Sequence, residues 1–243
     1  MSKWLEARVV ENRHWTDALF SLRVEGPRLN FEAGQFVRIA LDEQVARPFS
    51  FVNPPHDPTL EFYGIVVPEG PLSPKLAALK AGDRLLVASN PAGFLVLSEV
   101  PDSETLWLLS TGTGIAPFLS ILRTETPWRR FANIVLVHAV RHARELVYRE
   151  MIGQMQQAHP GIFRYVTFVS REAAPGALAG RIPAAMRDGR LEAAAGLALD
   201  AKSHVMLCGN PDMLRDGQAA LAERGLRKHR RRNPGHITVE SFW

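Results

Sequence analysis

The sequence predicts a two-domain protein: an N-terminal antiparallel β-barrel followed by a C-terminal α/β domain, a parallel sheet with flanking helices. Two observations predict it. Residues 1–100 carry short apolar or alternating runs punctuated by Gly and Pro, the pattern of a barrel or sandwich. From Pro101-Asp102 onward, apolar runs alternate with helical stretches, the pattern of parallel strands joined by crossover helices. The change places a boundary near 98–103 and gives domains of 1–100 and 101–243.

In the first half, strands are expected near 4–10, 18–24, 35–41, 48–52, 60–67 and 84–89. Gly26-Pro27, Gly34, Pro54-Pro55, Gly70-Pro71 and Gly82 separate them. One helix interrupts: Ser73 is placed to cap it, Pro74 fits the first helical position, and Lys75 to Leu79 follow. In the second half, Thr105-Leu106-Trp107-Leu108-Leu109 is continuously apolar, as a strand buried on both faces requires. A Gly-rich turn and a helix to about Arg123 come next. Strands are then expected at 134–137, 165–169 and 205–207, and helices near 144–157, 182–188 and 212–224. The Ala-rich stretch 191–200 reads as a helix plus a loop.

Composition bounds the function. The chain has 243 residues, 46% hydrophobic and 22% charged, the balance of a soluble globular protein. No apolar run is long enough to span a bilayer, and Met1 to Arg8 lack the apolar core of a signal peptide. The single cysteine excludes an internal disulfide and a four-cysteine iron–sulfur cluster. A cytoplasmic protein, not associated with a membrane, is therefore expected. Net charge is +4, and much of the excess lies in Arg227-Lys228-His229-Arg230-Arg231-Arg232. Such a run attracts nucleic acid, anionic lipid or an acidic protein, but taken alone it reads as a solvated surface turn.

Four segments carry the chemistry. Gly112-Thr113-Gly114 follows a buried strand and opens a helix; glycines there let the backbone approach a phosphate, toward which the N–H groups of a helix start point. The full dinucleotide fingerprint has a third glycine where this chain has Pro117, which a first helical turn accepts. No acidic residue stands where an NAD ribose would need one. Instead Arg141 and Arg171 stand at strand ends and Arg181 opens the next helix; three surface arginines in ion pairs are the alternative, but these positions and the match of a guanidinium fork to a 2′-phosphate make NADP expected over NAD. Arg47-Pro48-Phe49-Ser50 combines a cation for a diphosphate, a proline that fixes the chain, a ring and a hydroxyl, although taken alone it reads as an ordinary edge strand with Phe49 in the core. Cys208 ends a strand, where its thiol either faces a crevice or packs as a small buried hydrophobe, the commoner use of a free cysteine, and Asp212 is placed to cap the following helix. Glu240 is a carboxylate in an apolar tail, suited to handling a proton or to serving as an ion-pair partner. Phe242-Trp243 offers two flat platforms for stacking. No Walker loop, Gly-x-Ser-x-Gly elbow or His-Glu-x-x-His helix is present. His138 and His142 straddle a strand end, so neither is read as a metal ligand and no metal site is expected.

Together these segments resemble the bacterial ferredoxin/flavodoxin–NADP reductases, the subclass ending in Glu-x-aromatic-Trp. The resemblance covers essentially the whole chain, including Phe62-Tyr63-Gly64-Ile65-Val66, Leu72-Ser73-Pro74-Lys75-Leu76, Ala92-Gly93-Phe94 and Arg231-Arg232-Asn233-Pro234-Gly235-His236. It also includes Ser203-His204-Val205-Met206-Leu207-Cys208-Gly209-Asn210-Pro211. It implies FAD on the barrel and NADP(H) on the α/β domain. By resemblance, Arg47 and Pro48 hold the FAD diphosphate, Phe49 flanks the isoalloxazine, and Ser50 lies near flavin N5. Gly64, Ile65, Val66, Leu72 and Ser73 line the ribityl and diphosphate, Phe242 flanks the flavin, and Trp243 the FAD adenine. Gly112, Thr113, Gly114 and Asp212 belong to the NADP site, with Thr113 also reaching the FAD side. Arg141, Arg171 and Arg181 match the adenosine-phosphate site, while Cys208 and Glu240 line the nicotinamide–flavin contact. Ser50, Cys208 and Glu240 are the implied catalytic group. Phe49 and Phe242 stand where tyrosine is usual, which keeps stacking and removes two hydroxyls.

The implied reaction takes hydride from NADPH to flavin and then single electrons, reversibly, to ferredoxin or flavodoxin. Such carriers are usually acidic, so the basic run is the expected docking face of a monomer. Two other readings stand beside this one. One is a reductase component for another one-electron acceptor, such as an oxygenase. The other is a nucleotide- or nucleic-acid-binding protein without flavin, whose binding would be strongly salt-dependent.

Overall fold

The structure, a computed structural model, describes residues 3–241. The expectations for Phe242 and Trp243 lie outside the described residues. The chain divides into two compact units. One runs to Leu97 and also contains Ala116–Thr124; the other holds Ser98–Ile115 and the chain from Glu125 onward.

In the first unit the short apolar runs become six strands: β1 (Trp4–His14), β2 (Leu19–Glu25), β3 (Phe36–Ala40), β4 (Ala46–Ser50), β5 (Leu60–Ile65) and β6 (Arg84–Ala88). They form one antiparallel sheet in the order β4-β3-β6-β1-β2-β5. Just beyond β4, Phe51 bridges antiparallel to Phe62 on β5. The two edge strands thereby meet, and the sheet closes into a barrel with no long free edge. Period-two alternation sends Ala7, Val9, Leu22, Ile39 and Leu85 inward. Phe31 stacks on Phe51 at 3.9 Å between ring centroids, and Phe62 packs beside them. Each such side chain removed from water contributes about 1.5–3 kcal/mol.

The barrel's helix, α1 (Ser73–Ala77), has Pro74 in its first turn, as expected. Ser73 is not its cap. It is the first helical residue, and its hydroxyl accepts the N–H of Val67 at 2.9 Å, bracing the loop before the helix.

A second helix, α2 (Ala116–Leu122), follows the glycine turn in sequence yet belongs with the barrel unit. The cause is local anchoring. The Ser120 hydroxyl donates to the carbonyl of Asn53 at 2.7 Å. Arg123 donates to the Val52 carbonyl and pairs with Asp57 and Glu61, each at 3.3 Å. Burial by itself raises the Asp57 carboxyl, but hydrogen bonds from the Thr59 backbone and hydroxyl, with Arg123 and Arg23, hold it below its ordinary value. The boundary expected near 98–103 carried no sign of this return, because the anchors lie some seventy residues apart in sequence.

In the second unit six strands form a parallel sheet: β7 (Thr105–Thr111), β8 (Asn133–Val140), β9 (Phe163–Val169), β10 (Leu178–Ala179), β11 (Ser203–Cys208) and β12 (Ile237–Glu240). Their order is β10-β9-β8-β7-β11-β12. Helices α3 (Thr126–Arg130), α4 (Arg149–Ala158), α5 (Ile182–Arg187), α6 (Arg190–Ala195) and α7 (Pro211–Ala222) connect them. The central strands are buried throughout: Leu106, Trp107, Leu108 and Leu109 are all inaccessible, as are Ile134 to Val137 and Val205 to Leu207. Helix α4 starts five residues later than the apolar pattern suggests. Tyr148 takes a left-handed backbone (φ 59°), and 143–145 form a separate turn closed by His142 and Glu145 in a capping box.

Candidate functional site

In the barrel unit the closure of β4 onto β5 assembles the residues expected to hold a flavin. The Phe51–Phe62 bridge runs 47–50 antiparallel to 63–66. Phe49 then faces Gly64, and a Cβ on Gly64 would lie 2.9 Å from the Phe49 ring and 2.8 Å from the Phe20 ring. The glycine is what lets the Phe49 ring lie against the strand. Phe49 is half-buried and meets Phe62 edge-on at 6.3 Å, so one part of its ring packs inward and another is open.

Ser50 is the informative residue. It is 6% exposed, and its hydroxyl is buried without a hydrogen-bond partner among the described residues. A buried hydroxyl left so costs about 1–3 kcal/mol unless something accepts or donates to it. Three residues earlier, Arg47 is exposed, and its guanidinium reaches only the carbonyl of Ala46. It has no ion-pair partner among the described residues. An orphaned hydroxyl, an open ring and an unpaired guanidinium on one strand fit a group that is aromatic at one end and anionic at the other. FAD meets that description. Leu72 is buried in the barrel core, and the Ser73 hydroxyl is already engaged by Val67.

In the second unit the sheet order places a switch point between β7 and β11, since the chain builds outward from β7 through β8, β9 and β10 and then returns to the other side. Crevices at the carboxyl ends of the strands flanking such a point are where ligands bind. The two loops there interlock. Gly112 has φ +52°, in the left-handed region, and begins the tight turn Gly112–Ile115. A Cβ on Gly114 would lie 2.5 Å from the Cys208 carbonyl oxygen and 2.9 Å from the Gly209 Cα. The Thr111 hydroxyl accepts the N–H of Asn210 at 2.8 Å. Pro117 sits in the first turn of α2, as expected.

Beyond β11 one expectation is corrected and one alternative is decided. Asn210, not Asp212, caps α7: its Oδ1 accepts the N–H of Asp212 at 2.9 Å and of Met213 at 3.4 Å. Asp212 turns to Arg215, an exposed pair at 2.8 Å. Cys208 does not face a crevice. It is fully buried, and burial, then the nearby Glu240 carboxylate, push its thiol well above the ordinary range. A group so placed is a neutral, inert side chain. Cys208 is therefore expected to resist iodoacetamide at pH 8 in the folded protein and to react fully once unfolded, as read by mass spectrometry. Rapid labelling of the native protein would contradict its burial. Glu240 lies directly opposite Cys208 in the β11–β12 register and is half-buried.

The three arginines gather on the same carboxyl edge. Arg141 follows β8, Arg171 lies two residues past β9, and Arg181 is the residue before α5. The Arg171 N–H donates to the Arg141 carbonyl at 3.0 Å, so the parallel pairing continues to their level. All three are exposed and lack a carboxylate partner among the described residues. Arg187, Arg190, Arg215 and Arg224 of the same unit are each paired. The neighbouring carboxylates are spent on backbone: Glu145 accepts the Arg141 N–H at 2.9 Å, and Glu172 accepts the Ala143 N–H at 2.7 Å. The Ala143 bond, with the His142 ring, holds Glu172 below its ordinary value. Three free guanidiniums on one strand edge suit a phosphate.

Two residues to which the sequence assigned no role in the site, His138 and Tyr165, complete the loop. His138 on β8 is fully buried, with Nε2 3.2 Å from the Gly112 carbonyl oxygen and Nδ1 3.4 Å from the Tyr165 hydroxyl. Among the described residues no group of three or more potential ligands is placed to hold a metal ion.

Comparison with known proteins places the chain among its relatives. The family Oxidoreductase NAD-binding domain matches residues 108–219. The flavodoxin/ferredoxin–NADP reductase of Shigella flexneri is 52% identical over the full length of both chains, and that of Escherichia coli K12 is 51% identical over the same span. Among solved structures, a ferredoxin NADP+ reductase from Neisseria gonorrhoeae with bound FAD and NADP superposes with a TM-score of 0.94 at 33% identity, covering all of both chains.

Proposed function

This chain belongs to the flavodoxin/ferredoxin–NADP reductases, and from that premise we propose how its own residues divide the work. The protein is an FAD-dependent oxidoreductase exchanging electrons between NADP(H) and ferredoxin or flavodoxin. FAD, when bound, accepts a hydride from NADPH and releases electrons singly, which joins a two-electron donor to one-electron carriers.

On the barrel, Arg47 neutralises the diphosphate and Pro48 fixes the strand beside it. The Phe49 ring covers one face of the isoalloxazine. The backbone of Gly64, Ile65 and Val66, with Leu72 and Ser73, lines the chain between ring and diphosphate. Ser50 supplies a hydrogen bond at the reacting edge of the ring. Its unpartnered buried hydroxyl is the single observation that carries this assignment.

On the parallel sheet, the N–H groups of the Gly112-Thr113-Gly114 turn take the NADP pyrophosphate. Arg141, Arg171 and Arg181 take the 2′-phosphate and favour NADPH because NADH lacks the group they bind. Cys208 packs as a neutral thiol at the end of β11, and Glu240 beside it holds or releases a proton. Asp212 stands in the first turn of α7, where it meets Arg215 in an exposed pair.

For the protein partner, the basic run is smaller than its sequence suggests. Glu99 engages Arg231 in a bidentate pair, and Arg227 turns back to the Pro234 carbonyl. Lys228, Arg230 and Arg232 remain exposed without an ion pair among the described residues, and these three are the docking cations for an acidic carrier. No helix among the described residues is long and apolar enough to cross a membrane. A monomer in the cytoplasm would meet such soluble carriers there.

The test is a visible spectrum of the purified protein, followed by anaerobic NADPH addition with NADH in parallel. A flavin spectrum that bleaches at low NADPH and needs far more NADH is expected. A colourless protein, inert after FAD is supplied, would overturn the cofactor assignment.

A further inference from the structure

We propose that His138 is a positioning residue for the dinucleotide: by holding the Gly112 carbonyl it aims the N–H of Thr113 at the NADP pyrophosphate. The inference rests on the assignment of the 112–114 turn to that pyrophosphate.

The argument begins with the strand. Residues 134 to 137 of β8 are apolar and inaccessible, and an imidazole in the next position is costly unless both ring nitrogens are engaged. Both are. A carbonyl oxygen only accepts, so Nε2, 3.2 Å from Gly112 O, carries the proton. Nδ1 is then the acceptor, and the Tyr165 hydroxyl, 3.4 Å away, donates to it. Tyr165 thereby selects the tautomer that His138 needs. Burial, only partly offset by the Gly112 bond, lowers the imidazole pKa to about 4, so the ring is neutral at working pH.

The consequence for the loop follows from peptide geometry. The C=O of Gly112 and the N–H of Thr113 belong to one planar trans unit and point in opposite directions. Drawing the carbonyl inward to His138 turns the Thr113 N–H outward. Gly112 tolerates this because its φ of +52° suits a glycine. Gly114, pressed on the Cys208 carbonyl, holds the turn from its other end. Leucine at 138 would fill the space while removing the side-chain donor that holds the Gly112 carbonyl.

The test uses the FAD-loaded full chain with two probes: NADP+, which spans the loop and the arginines, and adenosine 2′-monophosphate, which reaches only the arginines. In His138→Leu the Kd for NADP+ is expected to rise about tenfold, equivalent to about 1.4 kcal/mol. The Kd for the monophosphate should stay within about twofold. At saturating NADPH the maximal rate should fall less than kcat/KM. His138→Gln, whose amide can donate to the same carbonyl, should restore most of the NADP+ affinity. Nitrogen-15 NMR of the wild type should show His138 protonated at Nε2 and not at Nδ1. Unchanged NADP+ binding in His138→Leu, equal weakening of both probes, or an Nδ1–H tautomer would each overturn the proposal. FAD content and Tm of both variants separate a misfolded chain from a misaimed loop, and Tyr165→Phe perturbs the tautomer without opening a cavity at 138. Wild-type binding of each probe separately reports on the assignment of the turn and the arginines.

Discussion

Replacing Ser50 with alanine is expected to slow flavin reduction by NADPH about 10²-fold, while the protein freed of FAD keeps or slightly gains stability. The two halves of this expectation have one cause. The Ser50 hydroxyl is buried and has no partner among the described residues, so it costs desolvation without repayment until a cofactor atom meets it. Alanine removes that cost from the apoprotein and removes a preorganised hydrogen bond from the loaded one. A donor aimed at a reacting edge contributes about 2.7–4 kcal/mol to the barrier, which is where the rate effect comes from. Stopped-flow absorbance measures the rate, and thermal melts with and without FAD measure the stability. A variant that loses apoprotein stability, or keeps its full rate, would show that the hydroxyl serves the barrel rather than the flavin.

The arginine edge yields the second large effect. Alanine at Arg141, Arg171 or Arg181 is expected to cut kcat/KM for NADPH by about 10- to 100-fold each, because a charge-assisted hydrogen bond contributes about 1.5–3 kcal/mol. The value for NADH should barely move, so the double variant at Arg141 and Arg171 should lose most of the cofactor preference. Added salt should weaken NADPH binding more in wild type than in the variants, since the screened charges are those being removed. The three guanidiniums are exposed and have no carboxylate partner among the described residues, so their loss should leave Tm nearly unchanged. Steady-state kinetics with both nucleotides decide the matter. A parallel fall for NADPH and NADH would place these residues outside the 2′-phosphate site.

Much of this was legible in the sequence because the signals are local. Period-two alternation in β1 and β2, the continuous apolar runs of β7 and β8, and Pro74 in the first turn of α1 each depend on a few adjacent residues. Arg141 and Arg171 were legible for a related reason: in a parallel sheet the residue after a strand must fall on the carboxyl edge, whatever the rest of the chain does. The errors came where a side chain had two competing local uses. Ser73 and Asp212 both suit a helix cap. The structure spends Ser73 on Val67 and Asp212 on Arg215, leaving the cap of α7 to Asn210.

Taken by itself, the sequence determined the order and type of most strands and helices, though not α3, β10 or β12, together with the glycine turn and the cations near the strand ends, because periodicity, backbone freedom and charge are properties of neighbouring residues. Only the tertiary structure decided which of those groups have partners. It buried Cys208, so that burial keeps its thiol neutral. It brought α2 back to the barrel through Ser120 and Arg123. It set Phe49 against Gly64 while leaving the Ser50 hydroxyl without a partner among the described residues, and it turned His138 onto the carbonyl of Gly112. A hydrogen bond or an ion pair depends on distances of a few ångströms between residues far apart in the chain, and those distances exist only once the strands have found their register.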